Sequence, residues 1–253
     1  MKTSVISLAL AIAAGLASVA PLPCFAADHQ DLEEGLPTRV EDAYPHPYRA
    51  REVQAAVRYL NEDEGDLGEL EIGFDYGAAR NLQVSLAAPF LFGSGDRAGN
   101  GDVRLHALYN FNTETMRTPA LSLVLESRFA TGTDSEGTDV SAKAIMTRTI
   151  GTWAERVHVN IAYTDVGSPE PGDRCQVWFA GIGYDRPLSF DELLILDAFW
   201  EQSDERDGDD SIVVEVGVRS QLTPWSVLAW GASTALAGDA PDVTATIAYH
   251  YSF

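Results

Sequence analysis

Cysteine, lysine and long hydrophobic runs are scarce in this chain of 253 residues, and each scarcity excludes a class of protein. The two cysteines are Cys24 and Cys175, and Cys24 falls within an N-terminal leader, so the mature chain lacks a disulfide framework. The lysines are Lys2 and Lys143 alone, and the formal net charge is -21. Phosphate binding needs clustered basic residues, so nucleic acid is excluded as a partner.

Residues 1–26 have the features of a cleaved secretory signal peptide. Lys2 gives the positive start, residues 5–19 form an apolar run, and Cys24-Phe25-Ala26 is a small-x-small cleavage site. A lipoprotein would need Cys24 as the acylated residue, but residues 21–23 match a lipobox poorly. No later run of about 18 apolar residues predicts a transmembrane helix. An exported protein without such an anchor can be located in the periplasm, in the medium or in the outer membrane.

The rest of the chain divides into a short lead-in and a long series of strands. Residues 27–50 are polar and acidic and are interrupted by Pro37, Pro45 and Pro47, which predicts an extended segment. Residues 51–253 alternate between apolar and polar positions in about twelve segments, each of roughly 9–11 residues. The sixth, 140–146, is weak, and the ninth, 193–200, is apolar on both faces except at Asp197.

The last segment, 243–253, carries the strongest pattern. Its apolar face ends in Tyr249, Tyr251 and Phe253, and the chain stops on that aromatic residue. Aromatic residues at the ends of strands are typical of transmembrane β-barrels, and this ending resembles the C-terminal signal read by the outer-membrane assembly machinery. The predicted fold is therefore all-β, a closed antiparallel transmembrane β-barrel of about 12 strands, with segment 243–253 closing against 51–60.

The connections between strands support the barrel independently. A bacterial barrel alternates long outer loops with short periplasmic turns. The predicted outer loops are 61–66, 93–100, 131–139, 165–174, 201–210 and 236–242, and the inner turns are 77–81, 112–118, 150–155, 186–191 and 222–225. Acidic residues concentrate in the outer set. A soluble β-sandwich has no reason to sort charge in this way, so the asymmetry favours the barrel.

If the apolar faces point outward to lipid, the polar faces line the lumen. The predicted lumen residues are Arg58, Glu71, Asp75, Arg104, His106, Glu126, Arg128, Lys143, His158, Asp197, Glu215, Arg219 and His250. Both signs of charge occur among them, which indicates a mixed-charge interior. A bore of about twelve strands lies between a filled eight-stranded barrel and an open porin, so segment 27–50 is a candidate for a lumen plug.

Several stretches also resemble a known family. They are Pro89-Phe90 closing strand 82–88, the run Gly99-Asn100-Gly101-Asp102-Val103-Arg104-Leu105, residues 119–123 with 130–133, Gln221-Leu222-Thr223-Pro224, and the lead-in 36–42. Together they resemble the outer-membrane transporters grouped under the MetA pathway of phenol degradation. The resemblance covers nearly all of the mature chain. It implies an outer-membrane barrel that passes small, often aromatic or hydrophobic, compounds, and it brings no binding residues.

The sequence contains no pattern that predicts catalysis, a cofactor or a metal site. A barrel lipase needs a serine and a histidine at the lipid side, whereas His106, His158 and His250 fall on the predicted inner face. No nucleophile elbow or metal-ligand spacing occurs. In the acidic loop 204–210, Arg206 and Gly208 occupy the positions that an EF-hand gives to ligands, so a solvated loop is predicted.

We therefore predict a channel or transporter for small molecules in the outer membrane of a Gram-negative bacterium. Its expected partners are outer-membrane lipid and lipopolysaccharide, the assembly machinery and a small solute, with divalent cations bridging the acidic loops to lipopolysaccharide as a hypothesis. The alternatives are a structural or surface-interaction barrel without transport and a soluble secreted β-sandwich.

Overall fold

The computed structural model of this protein describes residues 26–61, 65–93, 98–133 and 135–253. The predicted signal peptide lies outside the described residues except for Ala26. Twelve long strands occur in the described part of the chain, and their bounds follow. They are β1 (Arg51–Asn61), β2 (Leu67–Ala79), β3 (Leu82–Gly93), β4 (Val103–Asn112), β5 (Ala120–Phe129), β6 (Thr138–Ile150), β7 (Glu155–Asp165), β8 (Gln176–Pro187), β9 (Glu192–Glu201), β10 (Ser211–Thr223), β11 (Ser226–Ala237) and β12 (Val243–Ser252).

The strands form one closed antiparallel barrel. Each strand pairs with its neighbours in sequence, and the two residues Gly99–Asn100 add a short pairing to the end of β3 before β4 begins. The ring closes between β1 and β12, where Glu52 lies opposite Ser252 and Asn61 opposite Val243. Closure leaves no unpaired sheet edge along the barrel. The predicted fold and the predicted pairing of the first and last strands are confirmed.

The outer surface of the barrel is apolar. Large exposed side chains on alternate strand positions include Leu125, Ile161, Ile182, Trp230 and Ile247. Contiguous exposed apolar surface of this extent is unusual in a soluble protein, where such a patch marks a site of contact. On a closed barrel, a surface of this kind is typical of the band that faces lipid in membrane proteins. No helix in the described ranges has the length and hydrophobicity needed to cross a membrane.

The strand bounds differ from prediction mainly at β6, which extends over Thr138–Ile150 beyond the predicted 140–146. In β9, Asp197 lies on the inner face together with Leu193 and Ile195, both fully buried. The inner face of β9 is apolar there because it packs against Leu32, a residue from the segment before β1. The double-sided apolar pattern of this strand therefore arises from lipid outside and protein inside.

The closing pair of strands provides a test of the barrel. Val57 lies opposite Ile247, and opposed residues have Cα atoms about 4.5–5.5 Å apart, which suits a disulfide. We expect the double variant Val57→Cys with Ile247→Cys to cross-link in nonreducing electrophoresis. In the control pair, Val57→Cys with Tyr249→Cys, the two residues are diagonal neighbours about 7–8 Å apart, so this pair should not cross-link. Both need Cys175→Ser, since that cysteine is free and exposed. Equal cross-linking of the two pairs would contradict the register.

The lumen and the segment inside it

Residues 26–50 enter the lumen from the end of the barrel that carries the short turns, here called the turn end. The Ala27 amide donates to the Pro224 carbonyl at 2.9 Å in the turn between β10 and β11. The chain then reverses at a tight bend, where the Gly35 amide donates to the Thr38 carbonyl at 2.7 Å. It returns to the turn end, where the Gly77 amide donates to the Ala50 carbonyl at 3.0 Å. We call residues 26–50 the inner segment and the opposite end of the barrel the loop end.

Side chains of the wall satisfy the backbone of the inner segment. Asn160 makes a two-way contact with Glu41, donating to its carbonyl and accepting from its amide, both at 2.9 Å. Other contacts join Val40 to Asp197, Ala43 to Thr147, Asn110 and Ser122, Leu36 to Arg219, and His46 to Gln83. Irregular backbone at membrane depth is stable only where protein or water pairs its polar groups. The wall supplies that pairing.

Glycines in the wall make room for the inner segment. A Cβ atom at Gly217 would lie 2.5 Å from Cγ of Pro37, and one at Gly231 would lie 3.1 Å from Cβ of the same proline. Val40 fits in the same way against Gly183, where a Cβ atom would lie 2.9 Å from the valine Cγ1. Val40 is completely buried. The segment and the wall therefore have complementary shapes as well as complementary polar groups.

The bend of the inner segment carries an ion-pair network. The Lys143 ammonium contacts both Glu34, at 2.7 Å, and Glu41. Glu34 also contacts Arg39 at 3.0 Å, and Arg39 reaches Glu201 on β9 at 3.1 Å. Buried charges need such partners, because a charge left unpaired out of water is costly. The network ties the bend to β6 and β9.

Two further groups of charges fasten the segment to the wall. On one side, Arg58 donates to the Gly35 carbonyl at 2.9 Å and contacts Glu69, while Glu71 accepts from Arg104. On the opposite side, Arg156 contacts Asp42 at 3.0 Å and also Asp185, and the Asp185 carboxylate accepts from Nε2 of His158 at 2.9 Å. The inner segment is thus tied to the wall on two opposite sides.

The structure places all thirteen predicted lumen residues on the inner side of their strands. Those that contact the inner segment are Arg58, His106, Lys143, Asp197, Glu215, Arg219 and His250. Glu71, Asp75, Arg104, Arg128 and His158 contact other wall residues, and Glu126 lines cavities. Arg128 and Glu126 face the wider loop end of the bore. Their roles in transport stay a prediction.

The sequence reasoning missed the partners that hold the segment. Asn110, Ser122, Thr147, Asn160 and Asp185 all lie on inner faces, at positions where the same alternation points inward. The predicted set contained only charged residues and histidines, whereas side-chain amides and hydroxyls form hydrogen bonds with backbone groups as readily as charged groups do. Glycines at inner-facing positions, such as Gly183 and Gly217, were a second available signal of close backbone approach.

Above the inner segment, the described residues of the loop end line two cavities. Two cavities of about 430 and 500 Å³ share Glu34, Arg39, Arg128 and Glu201 in their linings, so they form one vestibule above the bend. Below the bend, a cavity of about 70 Å³ lies between the inner segment and the wall of β1 to β5. The bore is therefore wide at the loop end and narrow where the segment fills it.

No protein-family model matches the chain, and no curated protein matches it either. Among solved structures the fold is similar to the COG4313 outer membrane channel from Pseudomonas putida F1, at 15% identity with a TM-score of 0.65, covering 88% of this chain and 100% of that one. The NanC porin gives 10% identity and a TM-score of 0.61, covering 80% of this chain and 100% of that one. The KdgM porin in complex with disordered oligogalacturonate gives 9% identity and a TM-score of 0.55, and the match covers 81% of this chain and 99% of that one.

These similarities establish the fold, because identities this low carry no more than that. The chain has the fold of outer-membrane barrel channels and porins. The expected relationship to the MetA pathway family of phenol degradation is not confirmed by them.

The two-way contact at Asn160 provides a test of how the segment is held. Asn160→Ala removes two hydrogen bonds to buried backbone, so the segment should open more readily by about 1–3 kcal/mol. Hydrogen exchange over residues 38–46 should then accelerate by roughly 5- to 150-fold. The control is Thr164→Ala on the same face of β7, whose hydroxyl bonds only Ser141. If both variants exchange like the unaltered protein, Asn160 does not hold the segment.

Two carboxyl groups of the inner segment have raised pKa values. Burial raises the pKa of Glu41 to about 7, against the opposing charge of Lys143. Burial also raises the pKa of Asp42 to about 6, although the positive charge of Arg156 opposes this rise. Burial alone would raise the pKa of Glu34 as well, but the positive charges of Lys143 and Arg39 hold that pKa well below the ordinary value. The other titratable groups facing the two raised carboxyls are His106, Asp31 and His158.

These shifts predict that the inserted state weakens as the pH rises. A released carboxyl titrates near pH 4, so insertion loses stability between roughly pH 4 and pH 7, where only the released form is ionised. Glu34 is ionised in both states above roughly pH 5, so it opposes the trend only at the acidic end of this window. Hydrogen exchange of residues 38–46, corrected for its intrinsic pH dependence, should show weaker protection at pH 8 than at pH 5. Glu41→Gln should flatten the trend, and stronger protection at pH 8 would contradict it.

Proposed function

We propose that this protein is an outer-membrane channel for small solutes and that its inner segment obstructs the passage in the conformation described. The observation that carries the proposal is a charged vestibule of several hundred cubic ångströms that narrows onto a segment tied to the wall. A barrel with a purely structural role has no need of a vestibule. The similarity of the fold to solved channels and porins supports the same proposal.

The outer membrane is the location that we propose, with export through a cleaved signal peptide. An apolar exterior on a closed barrel supports a lipid environment. The aromatic ending at Tyr249, Tyr251 and Phe253 is proposed to serve the assembly machinery, and the acidic loops to meet lipopolysaccharide through divalent cations. Tyr251 and Phe253 stack at 6.3 Å between ring centroids at the turn end.

Small compounds that combine an aromatic ring with a polar group are the solute class that we propose. Phe179 and Phe199 lie on the inner face with their ring centroids 5.5 Å apart, and they line the vestibule. The Arg39 guanidinium lies 5.5 Å from the centroid of the Phe179 ring. A flat aromatic solute could stack on this pair, while the charges around it would bind polar substituents. A vestibule this charged fits such compounds better than plain hydrocarbons.

A structural barrel without transport is the second candidate. The many contacts of the inner segment favour it, because a segment fastened on opposite sides of the bore resembles a permanent core as well as a gate. The two functions differ in one respect, since a gate leaves a conducting pore when it is removed or displaced. A permanent core leaves a barrel that fails to fold.

Single-channel conductance in planar bilayers separates the two functions. We expect the mature protein to conduct weakly, and deletion of residues 28–49 to raise the conductance several-fold because the bore is then clear. Gly217→Ala should also increase the open events, since its Cβ atom would collide with Pro37 at 2.5 Å. The control is Gly73→Ala, an inner-face glycine whose Cβ atom would meet only Gln54 at 3.5 Å.

Both altered proteins must first run as folded, heat-modifiable barrels in electrophoresis. A folded deletion protein without conductance and without solute flux into liposomes would exclude transport. An increase in conductance for Gly73→Ala equal to that for Gly217→Ala would show that displacement of the segment is not the cause.

The aromatic pair provides a separate test of the solute class. Phe179→Ala should weaken block of the deletion protein by small aromatic acids or amines by about 2- to 10-fold, because stacking on an aromatic side chain contributes about 0.5–1.5 kcal/mol. Trp230→Ala is the control, since Trp230 is exposed on the outer surface and lines neither cavity of the vestibule. Equal block of both variants would remove the aromatic pair from the proposal.

A further inference from the structure

Four ligand-type side chains meet where the inner segment contacts the first two strands. Glu33 and His46 come from the inner segment, Glu52 from the start of β1 and Asp75 from β2. Each offers one nitrogen or oxygen atom, and the four atoms lie within 4.8 Å of one another. No short sequence spacing brings these residues together, because the barrel and the returning segment do so. We call them the segment–wall cluster.

The cluster carries more negative charge than its neighbours balance. Three of its members are carboxylates, and the Asp31 carboxylate lies 3.5 Å from Nδ1 of His46. Within the described part of the chain, no lysine or arginine forms an ion pair with Glu33, Glu52 or Asp75. The positive arginines nearby are engaged with Glu69 and Glu71 instead. A site of this composition has a deficit of positive charge.

Polar atoms aimed into the cluster also lack hydrogen bonds. Nε2 of His46 is buried without a hydrogen-bond partner, and the side chain as a whole is only 8% exposed. Both carboxylate oxygens of Glu33 are buried without hydrogen-bond partners as well. Oε1 lies 3.4 Å from that nitrogen, and Oε2 lies 3.4 Å from Nδ1 of His250. Buried polar atoms without partners are rare and costly, so they call for an explanation.

The remaining members are held in place by neighbouring side chains. Glu52 accepts from the Ser252 hydroxyl at 2.6 Å and contacts Nδ1 of His250 at 2.9 Å. Asp75 accepts from the Gln83 amide at 3.3 Å and from Gln54. Outer contacts of this kind orient carboxylates and imidazoles toward a metal ion and strengthen its binding.

We propose that the segment–wall cluster is a binding site for one divalent transition metal ion, of which Zn²⁺ is the best match. An imidazole nitrogen together with carboxylate oxygens suits Zn²⁺ and its neighbours in the periodic table, whereas Mg²⁺ and Ca²⁺ prefer oxygen alone. The ion balances the carboxylates and gives a partner to Nε2 of His46 and to Glu33. The cavity of about 70 Å³ that Glu33, His46 and Asp75 line has room for water that accompanies the ion.

The position of the site has a consequence for the channel. Two ligands belong to the inner segment and two belong to the wall, so the complete set exists only while the segment is inserted. A ligand that binds one state alone stabilises that state. The ion therefore fastens the segment in the bore and favours the closed channel, a consequence that rests on the proposed function. The binding site itself does not depend on that function.

Cobalt spectroscopy tests the site directly. The full mature chain, folded without a polyhistidine tag and stripped with chelator, should bind one Co²⁺ with visible absorption that Zn²⁺ abolishes. His46→Gln and Asp75→Asn should each lower the affinity more than about tenfold, given that even outer-contact mutations cost 10- to 100-fold. Glu126→Gln, a lumen carboxylate outside the cluster, should bind like the unaltered protein. Absence of the absorption, or its persistence in both ligand variants, would overturn the proposal.

Hydrogen exchange and conductance give a second readout. Zn²⁺ should slow the exchange of residues 30–48 in the unaltered protein and leave it unchanged in His46→Gln, and each variant is checked for a folded barrel by heat-modifiable mobility. If Asp75→Asn does not fold, Glu33→Gln replaces it. If Zn²⁺ binds and slows exchange but does not lower the conductance, the proposed effect on the channel is wrong and the binding site stands. Failure of the deletion protein to conduct would overturn the proposed function and leave the cobalt result standing.

Discussion

The structure depends on one constraint, which is that an irregular stretch of backbone inside a barrel must find every hydrogen bond within the protein. Residues 26–50 form neither helix nor sheet, yet they run through a bore surrounded by paired strands. Amide, hydroxyl and guanidinium groups of the wall form these hydrogen bonds, for example those of Asn160 and Arg219. This requirement explains why the inner face is polar in some places and carries glycine in others.

Charge follows from the same constraint. The inner segment places carboxylates in the bore, and the wall pairs them with Lys143 and several arginines. Lys143 sits between Glu34 and Glu41, and Arg156 sits beside Asp42. Glu34 and Glu41 at the bend have a lysine or arginine as partner, whereas Glu33, Glu52 and Asp75 contact neither among the described residues. The scarcity of basic partners at these three carboxylates is what makes that side of the segment a place for a cation.

Strand number, the side that each strand turns inward and the closing pair of strands could all be predicted from the sequence. A period of two is a local property, and lipid outside with polar groups inside makes it strong. Prediction was weakest at β9, where Leu193 and Ile195 made both faces apolar. That pattern arises because Leu32 covers them from within, and a contact between residues so far apart in the chain leaves no periodic trace.

The sequence by itself determined the barrel, the sorting of acidic residues to one set of loops and the aromatic ending, since each depends on neighbours along the chain or on the solvent that a face meets. The tertiary structure decided the path of residues 26–50, the partners of the lumen charges and the meeting of Glu33, His46, Glu52 and Asp75. These features depend on distances across a closed ring, and only closure of the ring defines those distances. Composition could indicate that the lead-in was polar and broken by proline, whereas its fit against Gly183 and Gly217 required the opposite wall.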